Sequence, residues 1–521
     1  MFIKILLLVL FFGTMIGIGV YSRRHATDVN GFVLGGRAVG PWLTAFAFGT
    51  SYFSAVIFVG YAGQFGWKYG IASTWIGIGN ALIGSLMAWT ILGRRTRIMT
   101  QHLDSATMPQ FFETRFQSPA LKIASSVIVF IFLIPYTASL YNGLSRLFGM
   151  AFNIDYSICV IAMAVLTGIY VIAGGYMATA INDFIQGIIM LVGIVAVVAA
   201  VLNGQGGFME ALNKLGSVND ASVSATPGIF NSFFGPDPFG LFGVVILTSL
   251  GTWGLPQMVQ KFYAIKSEKS IHKGTVISTV FAFVVAGGCY FLGGFGRLFS
   301  DKVDVAKDGF DAIIPAMLSG LPTILIAVVV ILVLSASMST LSSLVLTSSS
   351  TLTLDFIAPM TKGKMGEKKK LLTMRLLVVV FILISVVIAI IQAKSNVTFI
   401  AQLMGISWGA LAGAFLAPFL YGLYWKKATK ASVWVSFVFS SVVMIANMLW
   451  RSAFPAVLQS PINAGAFCML AGLVLVPLVS LITPKLPKAD VEQIFSCYNR
   501  KVSVPVTDAI ADEGETEKEG K

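Results

Sequence analysis

The chain has 521 residues, of which 56% are hydrophobic and only 11% charged, whereas soluble globular domains carry about 25% charge. That balance excludes a soluble enzyme or binding module, and apolar runs of roughly 20 residues recur throughout, as a polytopic membrane protein requires. The formal net charge of +13 would suit nucleic acid, but the placement of the cations argues for a membrane face instead.

Phe2–Tyr21 reads as a first span. It has no small-residue cleavage site and Ser22-Arg23-Arg24 follows it, so it is expected to be an anchor rather than a signal peptide. Further spans are expected at about 42–66, 71–93, 120–148, 155–173, 179–202, 239–265, 274–297, 322–352, 372–393, 399–424, 431–451 and 464–483, about 13 in all. The polar tail after Pro484 is expected to be disordered. With the N-terminus outside and the C-terminus inside, 27 of the 36 Lys and Arg fall on the inner side, Lys261 among them.

Two spans are not plain helices. Thr44–Gly66 carries Gly49-Thr50-Ser51-Tyr52 at mid-depth, and Leu247–Pro256 carries Gly251, Gly254 and Pro256. Backbone freed by unwinding cannot be satisfied by lipid, only by a polar cavity or an ion. Broken midplane helices are the ion and solute sites of secondary transporters. The plainer alternative is an ordinary span whose hydroxyls bond their own backbone. The two segments lie five spans apart and so run in opposite directions. An inverted repeat of five plus five helices predicts that arrangement, giving a transport core over 42–424, an extra helix at 1–21, accessory helices at 431–483 and a cytoplasmic tail at 484–521.

The ninth span places Ser339, Thr340 and Ser343, with Ser342 beside them, on one helical face. Carbonyls freed at Thr50 and Phe53, with Ala336 O, Ser339 Oγ and Thr340 Oγ1, would form a five-oxygen sodium cage. The competing reading is back-bonding of these hydroxyls to their own helix. Asp183 sits at the inner end of the sixth span, where it is either functional or a helix cap. No intramembrane His or acid–base pair supports catalysis, and the four cysteines lack metal-ligand spacing.

These features resemble the sodium:solute symporter family. The resemblance rests on Gly31-Phe-Val-Leu-Gly-Gly-Arg37-Ala-Val-Gly40, on Gly174-Gly-x-x-Ala…Asp183-x-x-Gln186, on Gly254-Leu-Pro256-Gln-x-x-x-Lys-Phe-Tyr263 and on Ser339-Thr340-Leu-Ser-Ser343. It implies an all-α fold of the LeuT type and sodium-driven uptake by alternating access in the plasma membrane. It places the family's sodium site at Thr50, Phe53, Ala336, Ser339 and Thr340. By analogy with the sialic-acid-transporting members, it also implies a second sodium site at Asp183, Ser342 and Ser343, hence two ions per cycle. Tyr136 and Ala138-Ser139…Arg146-Leu-Phe look like proline symporters, but Tyr52 and Val56 replace the aspartate and tryptophan that proline carriers show. Ser54-Ala55-Val56 with Gly60 is similar to the carriers of monocarboxylates, vitamins and halide. The expected cargo is a small organic solute, an amino acid or a monocarboxylate, in a pocket of Ser54, Val56, Gln64, Tyr136, Tyr141, Asn142, Thr252, Trp253 and Gln402. The expected partners are this solute, sodium ions and the bilayer, with no nucleic acid and no required oligomer. A solute sensor that keeps the fold without transport is the alternative.

Overall fold

A computed structural model describes residues 2–152, 155–361, 364–394 and 400–499. Among them, ten helices are long and apolar enough to cross a membrane, or eleven if one bent pair counts as a span. Among the described residues the sole extended pairing is an isolated parallel bridge between Val39 and Ile265.

α1 (Phe2–Ser22) lies at the rim, with 22% of its apolar window buried. α2 (Pro41–Tyr52) opens with proline in its first turn, where no intrahelical N–H is needed. It stops at Phe53, whose φ/ψ of −86/119 is extended. The chain restarts through a wider π-helical turn, Val56–Tyr61, and continues as α3 (Ala62–Tyr69). A helical stretch over 74–93 follows, then two short helices, Arg94–His102 and Met108–Phe116. α4 (Pro119–Phe152) leads to α5 (Tyr156–Gly204), which runs for 49 residues. At about 1.5 Å per residue that is far longer than one ~30 Å crossing. The helix turns at Gly175, whose φ of +54 suits only glycine and whose missing side chain admits Phe32.

α6 (Pro238–Gly254) and α7 (Pro256–Ala264) meet at 45° across Leu255. This break repeats the first one. Leu255 is extended like Phe53, and both terminal N–H groups donate four residues back, to Gly251 O and Gly49 O, at 3.2 Å each. α8 (Glu268–Gly293), α9 (Thr323–Thr351) and α10 (Glu367–Lys394) follow.

α11 (Ile400–Tyr424) is the axis of the bundle, with 94% of its apolar window buried. The reason lies in its small residues. Gly405, Gly409 and Gly413 recur every fourth position, and a Cβ on Gly409 would come within 2.7 Å of Gly465 Cα. Close backbone contact of this kind is how helices associate in lipid, where apolar surface alone gives no drive. α12 (Lys430–Leu449) and α13 (Pro461–Ile482) pack on α11, with Gly465 on α13 at that contact.

The tail departs from expectation near its start. α14 (Lys488–Phe495) is folded, and Tyr498 donates to Arg95 O at 3.2 Å beneath the Arg95 guanidinium. Aromatic surface on an otherwise polar segment accounts for the docking. Residues 500–521 of the expected disordered tail lie outside the described residues. Lys261, counted from its sequence as an inner-loop cation, is buried to 2% exposure within the bundle.

Candidate ion and solute site

α2 carries Gly49 three residues before its end, where a Cβ would come within 2.4 Å of the Phe281 ring, and the helix breaks just beyond, at Phe53–Ser54. Ser54 then acts as a cap for the restarted helix, its Oγ accepting from Val56 N at 3.2 Å. Across from the break, α9 presents its hydroxyl face. Ser339 Oγ lies 3.1 Å from Thr50 O and 3.1 Å from Ala336 O, the two acceptors open to its one proton. Thr340 Oγ1 lies 3.1 Å from Thr50 O, 3.3 Å from Phe53 O and 3.1 Å from Ala336 O.

The five oxygens named from the sequence thus converge on one point, between a broken helix and an intact one. Back-bonding to Ala336, the competing reading, is also present. Each hydroxyl spends its single proton and keeps lone pairs for a cation. All five residues are buried, all five oxygens are neutral, and no carboxylate takes part. Neutral oxygens suit a monovalent hard cation, whereas divalent ions take carboxylates. No group of three or more His, Cys, Asp or Glu able to hold a metal occurs among the described residues.

The three residues expected at a second ion site also lie near the break, with a fourth that sequence reasoning did not include. Ser343 Oγ is 2.8 Å from Ser51 Oγ, and Ser342 Oγ donates to Ser339 O at 2.9 Å. Asp183 is fully buried, and the Lys261 ammonium stands 3.8 Å from it.

The expected pocket residues divide into groups. Ser54, Val56 and Tyr136 lie at the break, fully buried. Tyr136 meets the Trp408 indole edge-on at 5.8 Å, and Tyr52 lies 6.1 Å from the same ring. Trp408 also covers Gly251, where a Cβ would come within 2.5 Å of the indole. Trp408 therefore links the two broken helices, a role that sequence reasoning missed. Its only signal was a single tryptophan in a run of Gly and Ala.

Tyr141 and Asn142 follow on α4, beside Gly143, where a Cβ would come within 3.1 Å of the Ala55 backbone. Gln64 lies on α3, beyond the π-helical turn, and Gln402 stands one residue past Ala401, whose carbonyl accepts from Tyr61 Oη at 3.1 Å. Thr252 and Trp253 turn elsewhere. Thr252 Oγ1 donates to Gly84 O at 2.8 Å and Trp253 Nε1 to Ile83 O at 2.9 Å, fastening α6 to the 74–93 segment.

One end of the site is sealed by backbone. Val39 N donates to Ala264 O and Lys266 N to Val39 O, at 3.2 and 2.9 Å. Arg37, held in the left-handed region at φ 55, donates to Ser105 O at 2.7 Å and to Tyr263 O at 3.3 Å. Burial lowers the Arg37 guanidinium from its usual value. Gln260 bridges Val33 O and Thr347 Oγ1, at 3.1 and 2.8 Å. Two signature segments of the sequence, 31–40 and 254–263, are thereby tied into one closure.

A multi-span bundle with two broken helices around a buried oxygen cage is the build of a secondary transporter. The chain belongs to the sodium:solute symporter family, whose model matches residues 32–438. Sodium is accordingly the coupling ion, and the protein is a multi-pass plasma-membrane transporter rather than an enzyme. It is 28% identical over 485 residues to the osmoregulated proline transporter of Bacillus subtilis, covering 92% of this chain and 95% of that one. It is 30% identical over 494 residues to a sodium/proline symporter of Staphylococcus aureus (strain JH9), covering 93% and 92%. Among solved structures it is similar in fold to the substrate-bound, outward-open state of a Na+-coupled sialic acid symporter, with a TM-score of 0.72, 16% identity and coverage of 94% and 99%.

Proposed function

We propose that this chain imports a small organic solute with sodium by alternating access. An amino acid of the proline type is the first candidate and a monocarboxylate the second. One observation carries the ion site: Thr50 O, Phe53 O and Ala336 O all lie within 3.3 Å of Thr340 Oγ1, and Ser339 Oγ reaches two of the same carbonyls at 3.1 Å. Two relatives named as proline transporters favour the amino acid. Tyr52 and Val56 at the break keep the monocarboxylate in play, because they leave no anionic side chain there to meet a substrate amine.

In this reading the solute sits against Ser54, Val56, Tyr136 and Trp408, with Tyr141, Asn142, Gln64 and Gln402 along its approach. Unwound backbone and half-helix ends meet its charged groups. The core is a five-plus-five inverted repeat, supported by the matching breaks at Phe53 and Leu255. Counting α5 as two spans about Gly175, and each broken helix as one, supports 13 crossings with the N-terminus outside and the C-terminus inside. Each sodium ion brings about 2.3 kcal/mol per 100 mV of membrane potential.

The test is uptake into proteoliposomes under an imposed sodium gradient. L-Proline or pyruvate should accumulate with sodium outside and fail to do so when potassium replaces it. Saturable binding of either solute with no accumulation would instead favour a sensor.

A further inference from the structure

The family resemblance implies a second sodium ion at Asp183, Ser342 and Ser343, and the folded chain does not fit it. A cation of the protein's own stands there. Lys261, on α7 just past the second break, places Nζ 3.8 Å from Asp183 Oδ2 and donates to Ser343 Oγ at 3.1 Å. The same ammonium lies 5.0 Å from the centre of the Tyr176 ring, a cation–π distance. The two charged side chains are 3% and 0% exposed, so bulk solvent reaches neither. Neither oxygen of Asp183 accepts a hydrogen bond among the described residues, which leaves the lysine charge as its compensation.

A sodium ion added to this set would put two cations against one carboxylate in a buried place. That is costly, because buried charges are retained only when matched. The lysine is also wired to the cage. Ser343, which accepts from Lys261, is 2.8 Å from Ser51, and Ser51 neighbours Thr50, whose carbonyl belongs to the cage. A compact ammonium on a flexible stem can supply there the single positive charge that a sodium ion would otherwise bring.

We propose that Lys261 is a tethered cation standing in for a second sodium ion, so that the chain binds one sodium per cycle, at the cage. This rests on the reading of the cage as the sodium site, and the experiment separates the two. Radioactive sodium binding to the purified full-length protein, without solute, counts the ions and gives the Hill slope. The wild type should bind one ion with a slope of one. Lys261→Gln, with Lys261→Ala as the alternative variant, should bind two with a steeper slope. Adding Asp183→Asn to either should return the count to one, and Lys261→Arg should stay at one throughout.

A wild type that binds two ions overturns the proposal without any variant. So do folded Lys261→Gln and Lys261→Ala proteins that still bind one. The cage reading fails separately, if Ser339→Ala with Thr340→Ala leaves the wild-type count and affinity unchanged.

Discussion

Ser339 and Thr340 each contact two or three carbonyl oxygens that one cation could share. Taking each hydroxyl's contact with the ion as worth about as much as a hydrogen bond to a charged group, roughly 1.5–3 kcal/mol, sets the scale. Removing both hydroxyls should therefore raise the sodium concentration for half-maximal uptake at least about a hundredfold, with expression little changed. An unaltered sodium dependence in Ser339→Ala/Thr340→Ala would place the ion elsewhere. The two tryptophans near the breaks should behave differently. Trp408→Ala removes the ring shared by Tyr52, Tyr136 and Gly251, and should raise the half-saturating solute concentration several-fold. Trp253→Ala cuts the tie to Ile83 O, and should lower the thermal midpoint while leaving half-saturation near wild type. The reverse pattern would return Trp253 to the pocket.

Helix against helix, the bundle depends on backbones that touch. A Cβ on Gly66 of α3 would lie 1.9 Å from Gly293 O of α8, far inside any real contact, and backbone cannot rotate aside. Gly66→Ala should therefore force the two helices apart and lower the thermal midpoint in detergent by several degrees. Gly40→Ala is the control, since nothing lies within 4 Å of a Cβ there and its φ of −71 suits any residue. Equal midpoints for the two variants would mean that the α3–α8 contact is looser than its geometry. The same kind of contact explains why α11, with glycines at every fourth position, became the axis rather than one of the more hydrophobic spans.

Across the bundle, the end opposite the Arg37 closure is held by longer-range ties. Arg297 donates to Asp220 at 2.9 Å and to Trp67 O at 2.7 Å, and its guanidinium lies 3.8 Å from the Phe230 ring centre. The Ser222 hydroxyl and then Arg297 hold the Asp220 carboxyl below its usual value. A depressed carboxylate contributes stability above its unfolded value, about pH 3.9, and loses it as pH falls through the lowered folded value. The gap in thermal midpoint between wild type and Asp220→Asn should thus stay constant from pH 8 to 5 and close only below about pH 4. A gap that closes near pH 6 would mean that another group controls the tie.

How far the sequence could be read depends on whether a feature is announced locally. Hydropathy marks each span because a crossing helix must be apolar over consecutive residues. The broken helices are visible because Gly49, Gly251 and Pro256, all weak helix formers, stand within a few residues of each break. Thr50 and Ser339 are 289 residues apart, yet both could be named. One is freed backbone and the other a dense run of hydroxyls, and in lipid each needs polar company. Lys261 gave no such signal. It ends an apolar run close to Lys266, Lys269 and Lys273, and on composition alone it belongs with those loop cations. Only the 45° bend at Leu255, and the packing of α7 beneath α2 and α9, carry it inward to Asp183 and Ser343. The direction of Trp253 and the place of Trp408 were decided in the same way, by which neighbouring helix each face met. The chemistry at each position is a property of the chain, but the partner of a buried charge or ring is settled by packing between distant segments.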